Sequence, residues 1–119
     1  MPYIIRKEFA FSASHCLEHL PEGHPCKRVH GHNYVVTVEL RADRLNENDF
    51  VLDYRELDVV KNYLDLNFDH RHLNSVFGVR PTAENMTKLL FDKFYDVVPN
   101  LYAVEVSETP KTVAIYTRE

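Results

Sequence analysis

From His30 to Arg41 the chain alternates with a period of two: His30, His32, Tyr34, Val36, Val38 and Leu40 share one face, while Asn33, Thr37, Glu39 and Arg41 share the other. A segment of this kind is a strand with one buried face, and a one-residue slip in its pairing would turn the whole apolar set to solvent. It needs a partner strand and a covering layer. Residues 3–15 supply the partner, with Tyr3, Ile5, Phe9, Phe11, Ala13 and His15 on one face and Lys7 interrupting the pattern. Both strands place histidine at the ends joined by residues 16–29. That connection is rich in His, Pro, Gly and charge and too long for a tight turn, and long loops in compact domains are usually functional.

The covering layer follows in sequence. Asp53 with Glu56 reads as a capping box, and Leu57, Val60 and Leu64 recur at helical spacing, so a helix is expected from about Tyr54 to Leu66. Thr82 can cap a second helix with an apolar stripe of Met86, Leu89, Leu90, Phe94 and Val97, stopped at Pro99-Asn100. Alternation returns at Leu101–Glu108, with Tyr102, Val104, Val106 and Glu108 on one face. A fourth strand over 112–117 is joined through Thr109-Pro110-Lys111. The order ββααββ predicts an α+β fold: a four-stranded antiparallel sheet with two helices on one face. Its two open edges invite closure by a second copy of the chain, so an oligomer is expected.

With 119 residues and 45% apolar side chains, the expectation is one domain over residues 1–119 with a single core. No run approaches the ~20 apolar residues of a membrane span, and the first residues have charges within their apolar run and no small-residue cleavage site. No membrane association and a cytoplasmic location are expected, with Cys16 and Cys26 as free thiols. The net charge of -4, with scattered Lys and Arg, argues against nucleic acid as a partner.

The chemistry concentrates at His30-Gly31-His32. Residues two apart in a strand point the same way, and Gly31 removes a side chain that could crowd the approach. His15 ends the first strand on the corresponding face, and neighbouring strands lie about 4.8 Å apart. Three imidazoles suit Zn2+ and leave a fourth position open for water or substrate. The same three also fit a polar surface patch or hydrogen-bonded core histidines. Cys26, four residues before His30, fits either a fourth ligand closing a structural site or a base beside the metal. Asp69-His70 suits a proton relay if the fold brings it near the metal, and otherwise a solvated loop. Glu108 ends an apolar strand face, where a planar pair of N–H donors, such as a pterin or a guanine presents, would satisfy it bidentately; a strand-end surface glutamate is the alternative. His19 and His72 read as loop histidines, and His24 shares the long loop with Cys26. Cys16 reads as a small buried residue, and Glu56 and Glu84 as first-turn acids favoured by the helix dipole.

Together these segments resemble the 6-pyruvoyl-tetrahydropterin synthase family over nearly the whole chain. The matching pieces are Phe11-Ser-Ala-Ser-His15, Pro21-Glu-Gly-His24, Cys26-Lys-Arg-Val-His30-Gly-His32-Asn-Tyr34, Leu52-Asp53-Tyr54, Asp69-His70 with Leu73-Asn74, Pro81-Thr-Ala-Glu84-Asn85, and Glu108-Thr109. The three residues between Cys26 and His30, preceded by Pro-Glu-Gly-His, are similar to the 6-carboxytetrahydropterin synthase branch of queuosine and deazapurine biosynthesis. The pyruvoyl-forming branch usually has a longer spacing there.

The resemblance implies a T-fold whose subunits join their sheets into a barrel, as a hexamer or tetramer with active sites at subunit interfaces. It implies 7,8-dihydroneopterin triphosphate as substrate and 6-carboxytetrahydropterin, acetaldehyde and triphosphate as products. By the same resemblance His15, His30 and His32 hold zinc, Cys26 is the general base, Asp69 and His70 relay its proton, and Glu108 anchors the pterin. Lys27 and Arg28 are candidates for the triphosphate. Phe68 stands where leucine often precedes Asp-His, and Ser107 where a bulkier residue often precedes Glu-Thr; both bear on pocket shape. The competing functions are 6-pyruvoyl-tetrahydropterin synthase activity from the same residues and a non-catalytic module with zinc closed by Cys26.

Overall fold

A computed structural model describes residues 2–118. Strands β1 (Tyr3–His15), β2 (His30–Ala42), β3 (Leu101–Ser107) and β4 (Ala114–Thr117) form one antiparallel sheet in the order β1-β2-β3-β4. Helices α1 (Asp58–Asn67) and α2 (Ala83–Phe94) lie between β2 and β3 in the chain and bury their apolar stripes on the sheet. The expected ββααββ architecture is the observed one.

The alternation of β1 and β2 works as the sequence predicts. Phe9 pairs with Val36, Phe11 with Tyr34, Ala13 with His32 and His15 with His30, so the buried faces are continuous across the two strands. Behind them Phe68, fully buried, meets Phe11 and Tyr63 at 5.5 Å and Phe77 at 5.1 Å between ring centroids. This aromatic group fixes the chain immediately before Asp69. Thr82 caps α2 by accepting the Asn85 N–H, and Asp53 caps a 3₁₀ turn (Tyr54–Leu57) that leads into α1. The first helix thus begins later than expected, because its first turn is wound at the tighter pitch.

Three local expectations are corrected. Val97 is not part of the apolar stripe: α2 stops at Phe94, Val97 is exposed, and Val98 enters the core instead. Tyr102 does not share the buried face of Val104 and Val106, because the β2–β3 register shifts between Glu39 and Leu40 and pairs Leu40 with Leu101. The extra residue of such a bulge is displaced from the ladder, and Tyr102 lies instead under the Arg41 guanidinium, 3.8 Å from the ring centroid. The last strand starts at Ala114 rather than Thr112, since the Ser107 hydroxyl bonds the carbonyls of Thr109 and Thr112 and holds the connection as a loop.

The sheet face away from the helices is polar but not bare. Glu39 is buried there and bonded to Arg41 Nε at 2.8 Å, while Arg6 pairs with both Glu39 and Glu105. Replacing Phe68 by alanine should lower the free energy of unfolding by about 3–5 kcal/mol, whereas Phe68→Leu should cost about 1–2 kcal/mol. Urea denaturation followed by circular dichroism reads both.

Candidate metal centre

The β1–β2 register sets His15 directly across from His30, and Ala13 across from His32. The three imidazoles therefore converge at one end of the sheet, with ligand nitrogens within 4.8 Å of one another. His15 is buried and His30 and His32 are half-buried. His15 Nδ1 lies 2.7 Å from the Pro81 carbonyl and His30 Nδ1 lies 2.7 Å from the Arg28 carbonyl. A carbonyl only accepts, so each Nδ1 carries the proton and each Nε2 presents a lone pair. These two Nε2 atoms face each other at 2.9 Å. Two lone pairs at that distance repel unless a proton or cation stands between them. Nitrogens on a tetrahedral zinc are separated by roughly 3.3 Å, given Zn–N bonds of ~2.0–2.1 Å.

His32 Nε2 is buried and has no hydrogen-bond partner. An orphan imidazole nitrogen beside two inward Nε2 lone pairs fits the donor set of a site that could hold a metal ion. Burial, with the neighbouring imidazoles, holds His15 below the ordinary histidine range, only partly offset by the Pro81 hydrogen bond and the charge of Glu108. It stays neutral, as metal ligation requires. A Cβ at Gly31 would sit 3.4 Å from the Ala13 carbonyl, an ordinary contact with the neighbouring strand.

Glu108 sits immediately after β3, and its carboxylate lies 3.6 Å from His32 Nε2. It is half-buried beside the histidines rather than a free surface side chain, and with Glu84 it lines a hollow of about 180 Å3. Tyr34, fully buried under His32, has an unpartnered hydroxyl, and its ionisation is driven up first by burial and then by the charge of Glu108.

Cys26 lies in a 3₁₀ turn, Pro25–Lys27, whose Cys26 carbonyl accepts the Leu17 N–H at 2.8 Å. That bond ties the thiol's turn to the chain two residues beyond His15. The histidine cluster itself does not include the Cys26 sulfur, which leaves a three-nitrogen site rather than a closed four-ligand one. Lys27 meets Glu22 at 2.7 Å, so its charge is already matched.

Asp69 and His70 follow α1 beside the free edge of β1. One Asp69 oxygen accepts the Ser12 N–H at 2.9 Å and the other lies 2.9 Å from His70 Nδ1. The His70 N–H donates to the Ser12 carbonyl, which holds His70 in the left-handed region at φ 58°, a conformation costing about 1–2 kcal/mol for a residue with a side chain. Its ring is 83% exposed. His70 and His32 both border an open hollow of about 480 Å3, together with Ser12, Ser14 and His72.

Sequence reasoning missed several contributors. His24, read only as a loop residue, accepts the Cys26 N–H on Nδ1 at 3.1 Å and caps the thiol's turn. A Gly-His-Pro-Cys order, with Pro at the start of the turn, carries that signal. His72, expected to be bland, bonds Ser14 Oγ at 2.9 Å.

The family model described as 6-pyruvoyl tetrahydropterin synthase matches residues 4–119. A protein of Synechocystis sp. named 6-carboxy-5,6,7,8-tetrahydropterin synthase is 39% identical, over 96% of this chain and 92% of its own. A Bacillus subtilis protein of the same name is 29% identical over 94% of this chain and 83% of its own. The structure of Caenorhabditis elegans 6-pyruvoyl tetrahydropterin synthase matches with a TM-score of 0.85 at 28% identity, covering 98% of this chain and 96% of that one.

The Ser12 N–H, and after it His70, hold the Asp69 carboxyl below its ordinary range. A carboxyl with a depressed folded-state pKa stabilises above its unfolded value of ~3.9 and loses that contribution as pH falls through the folded value. Asp69→Asn should therefore melt below the parent protein at pH 7, and the difference should shrink as pH falls below the unfolded value of ~3.9 and through the depressed folded one. Thermal melts between those limits check it.

Proposed function

The chain belongs to the 6-pyruvoyl tetrahydropterin synthase family, and from that premise we propose that it is a 6-carboxy-5,6,7,8-tetrahydropterin synthase, a lyase that converts 7,8-dihydroneopterin triphosphate to 6-carboxytetrahydropterin, acetaldehyde and triphosphate. The observation that carries the reading is the 3.6 Å approach of Glu108 to His32, which sets a bidentate carboxylate acceptor beside a three-nitrogen metal site. The product would serve queuosine and deazapurine synthesis in the cytoplasm, where the free thiols Cys16 and Cys26 stay reduced.

Each residue then has a part. Glu108 accepts the 2-amino and N3 hydrogens of the pterin and fixes the ring. His15, His30 and His32 would hold Zn2+, which when bound would supply Lewis acidity toward the side-chain hydroxyls. Cys26 is the general base that takes a proton from the side-chain carbon, and His70, oriented by Asp69, carries it onward. Lys27 and Arg28, beside Cys26, are the cations for the triphosphate, and the ion pair of Lys27 with the exposed Glu22 is weak enough to give way. The exposure of His70 and the two open sheet edges favour a homo-oligomer, a hexamer or tetramer in which sheets close into a barrel and active sites lie at subunit interfaces.

The purified protein should bind one Zn2+ per chain, and the substrate should yield acetaldehyde in step with a carboxylated pterin by mass spectrometry. A pyruvoyl product without acetaldehyde would assign the chain to the pyruvoyl-forming activity instead. Cys26→Ala should keep its zinc and fold but lose about 10²–10⁴-fold in turnover; loss of zinc and fold together would mean a structural site.

A further inference from the structure

The free edge of β1 leading to His15 is not paired with a strand, yet its outward-facing peptide groups are bonded in order. Ser12 is held by Asp69 and His70, Ser14 donates its N–H to the Arg71 carbonyl at 3.1 Å and pairs in parallel with His72, and Cys16 comes next. At Cys16 no backbone is available to continue the ladder. The Asn74 side chain takes its place: Oδ1 accepts the Cys16 N–H and Nδ2 donates to the Cys16 carbonyl, both at 2.8 Å. A carboxamide offers the same donor and acceptor pair as a peptide unit, so Asn74 extends the parallel ladder by one rung in side-chain form.

His15 lies between the last two rungs. Its backbone is gripped on both sides, at Ser14 and Cys16, and its ring is oriented from above by the Pro81 carbonyl. Without the Asn74 rung, the outer side of β1 would be unpaired beyond Ser14 and His15 would be held there by its β2 partner His30 alone, since edge groups without a partner exchange with water. Aspartate could accept from Cys16 but not donate, and an apolar residue could do neither.

We infer that Asn74 is a positioning residue of the metal centre: by pairing with the backbone of Cys16 it fixes His15 against His30 and His32 and ties that ligand to the same ladder that carries Asp69 and His70. The inference rests on the metal-binding reading of the three histidines. It requires that loss of Asn74 weaken metal binding in protein that is still folded, where a purely structural residue would lower stability alone.

Zinc affinity of the full chain, by competition with a chromophoric chelator, and the visible spectrum of the cobalt form test it. Asn74→Ala should bind zinc about 10–100-fold more weakly, the range for groups that orient a ligand, with an altered cobalt spectrum and unchanged secondary structure at the measuring temperature. Asn74→Asp, which keeps the acceptor, should fall between; it carries the test alone if the alanine variant does not fold. Val98→Ala, a core variant remote from the centre, should melt lower yet bind zinc as the parent does. If the Asn74 variants melt lower but keep the parent's zinc affinity and cobalt spectrum, the inference is overturned while the metal reading stands. If the parent binds neither metal, the metal reading itself fails, and this inference with it.

Discussion

Everything at the candidate site depends on the register in which β1 meets β2. Because His15 stands opposite His30, and His32 two positions further along the same face, three imidazoles from two strands meet at one point. A shift of one residue would send His30 and His32 to the polar face with Glu39 and Arg41, and would at the same time expose Tyr34, Val36, Val38 and Leu40. The core and the site are thus specified by one alternation. Apolar burial, worth about 1.5–3 kcal/mol for each large side chain, far outweighs what a few imidazoles could contribute to choosing the register. The fold places the histidines; the histidines do not hold the fold.

That division explains what could be read from the sequence. The alternation of residues 30–41, the helical spacing of Leu57, Val60 and Leu64, and the caps at Asp53 and Thr82 are local signals, and each produced its element. The pairing of His15 with the later histidines followed from the same alternation. Tyr102 was misplaced because a bulge leaves no mark in the period of the strand that carries it, only in the match between two strands. Val97 was misplaced because helix periodicity does not say where a helix stops, and Val98 beyond it fills the core. Asn74 belongs to the matching segments, yet its part was not legible for a deeper reason: it imitates backbone, and backbone bonding has no residue signature.

The electrostatics of the centre follow from two carbonyl groups. The Pro81 and Arg28 carbonyls each claim an Nδ1 proton, and so turn both Nε2 lone pairs inward. Neither carbonyl belongs to a residue whose side chain suggests a role in a metal site. Arg28 was a candidate for its charge, yet the structure uses its main chain to orient His30. Burial then holds the His15 pKa low, which leaves its inward Nε2 lone pair available.

Glu108 bounds what such a cation site can do. A carboxylate 3.6 Å from His32 Nε2 cannot be an indifferent surface group, because it adds negative charge next to a half-buried imidazole. With a divalent ion on the histidines, the imidazole nitrogen is committed to the metal, and the carboxylate oxygens need other donors. A planar pair of N–H groups arriving from the open side meets that need at both oxygens at once. A structural zinc site would gain nothing from a carboxylate left unpaired at its margin. A carboxylate able to accept two donors at once, set beside three imidazoles, fits a site that binds a second molecule better than a purely structural one.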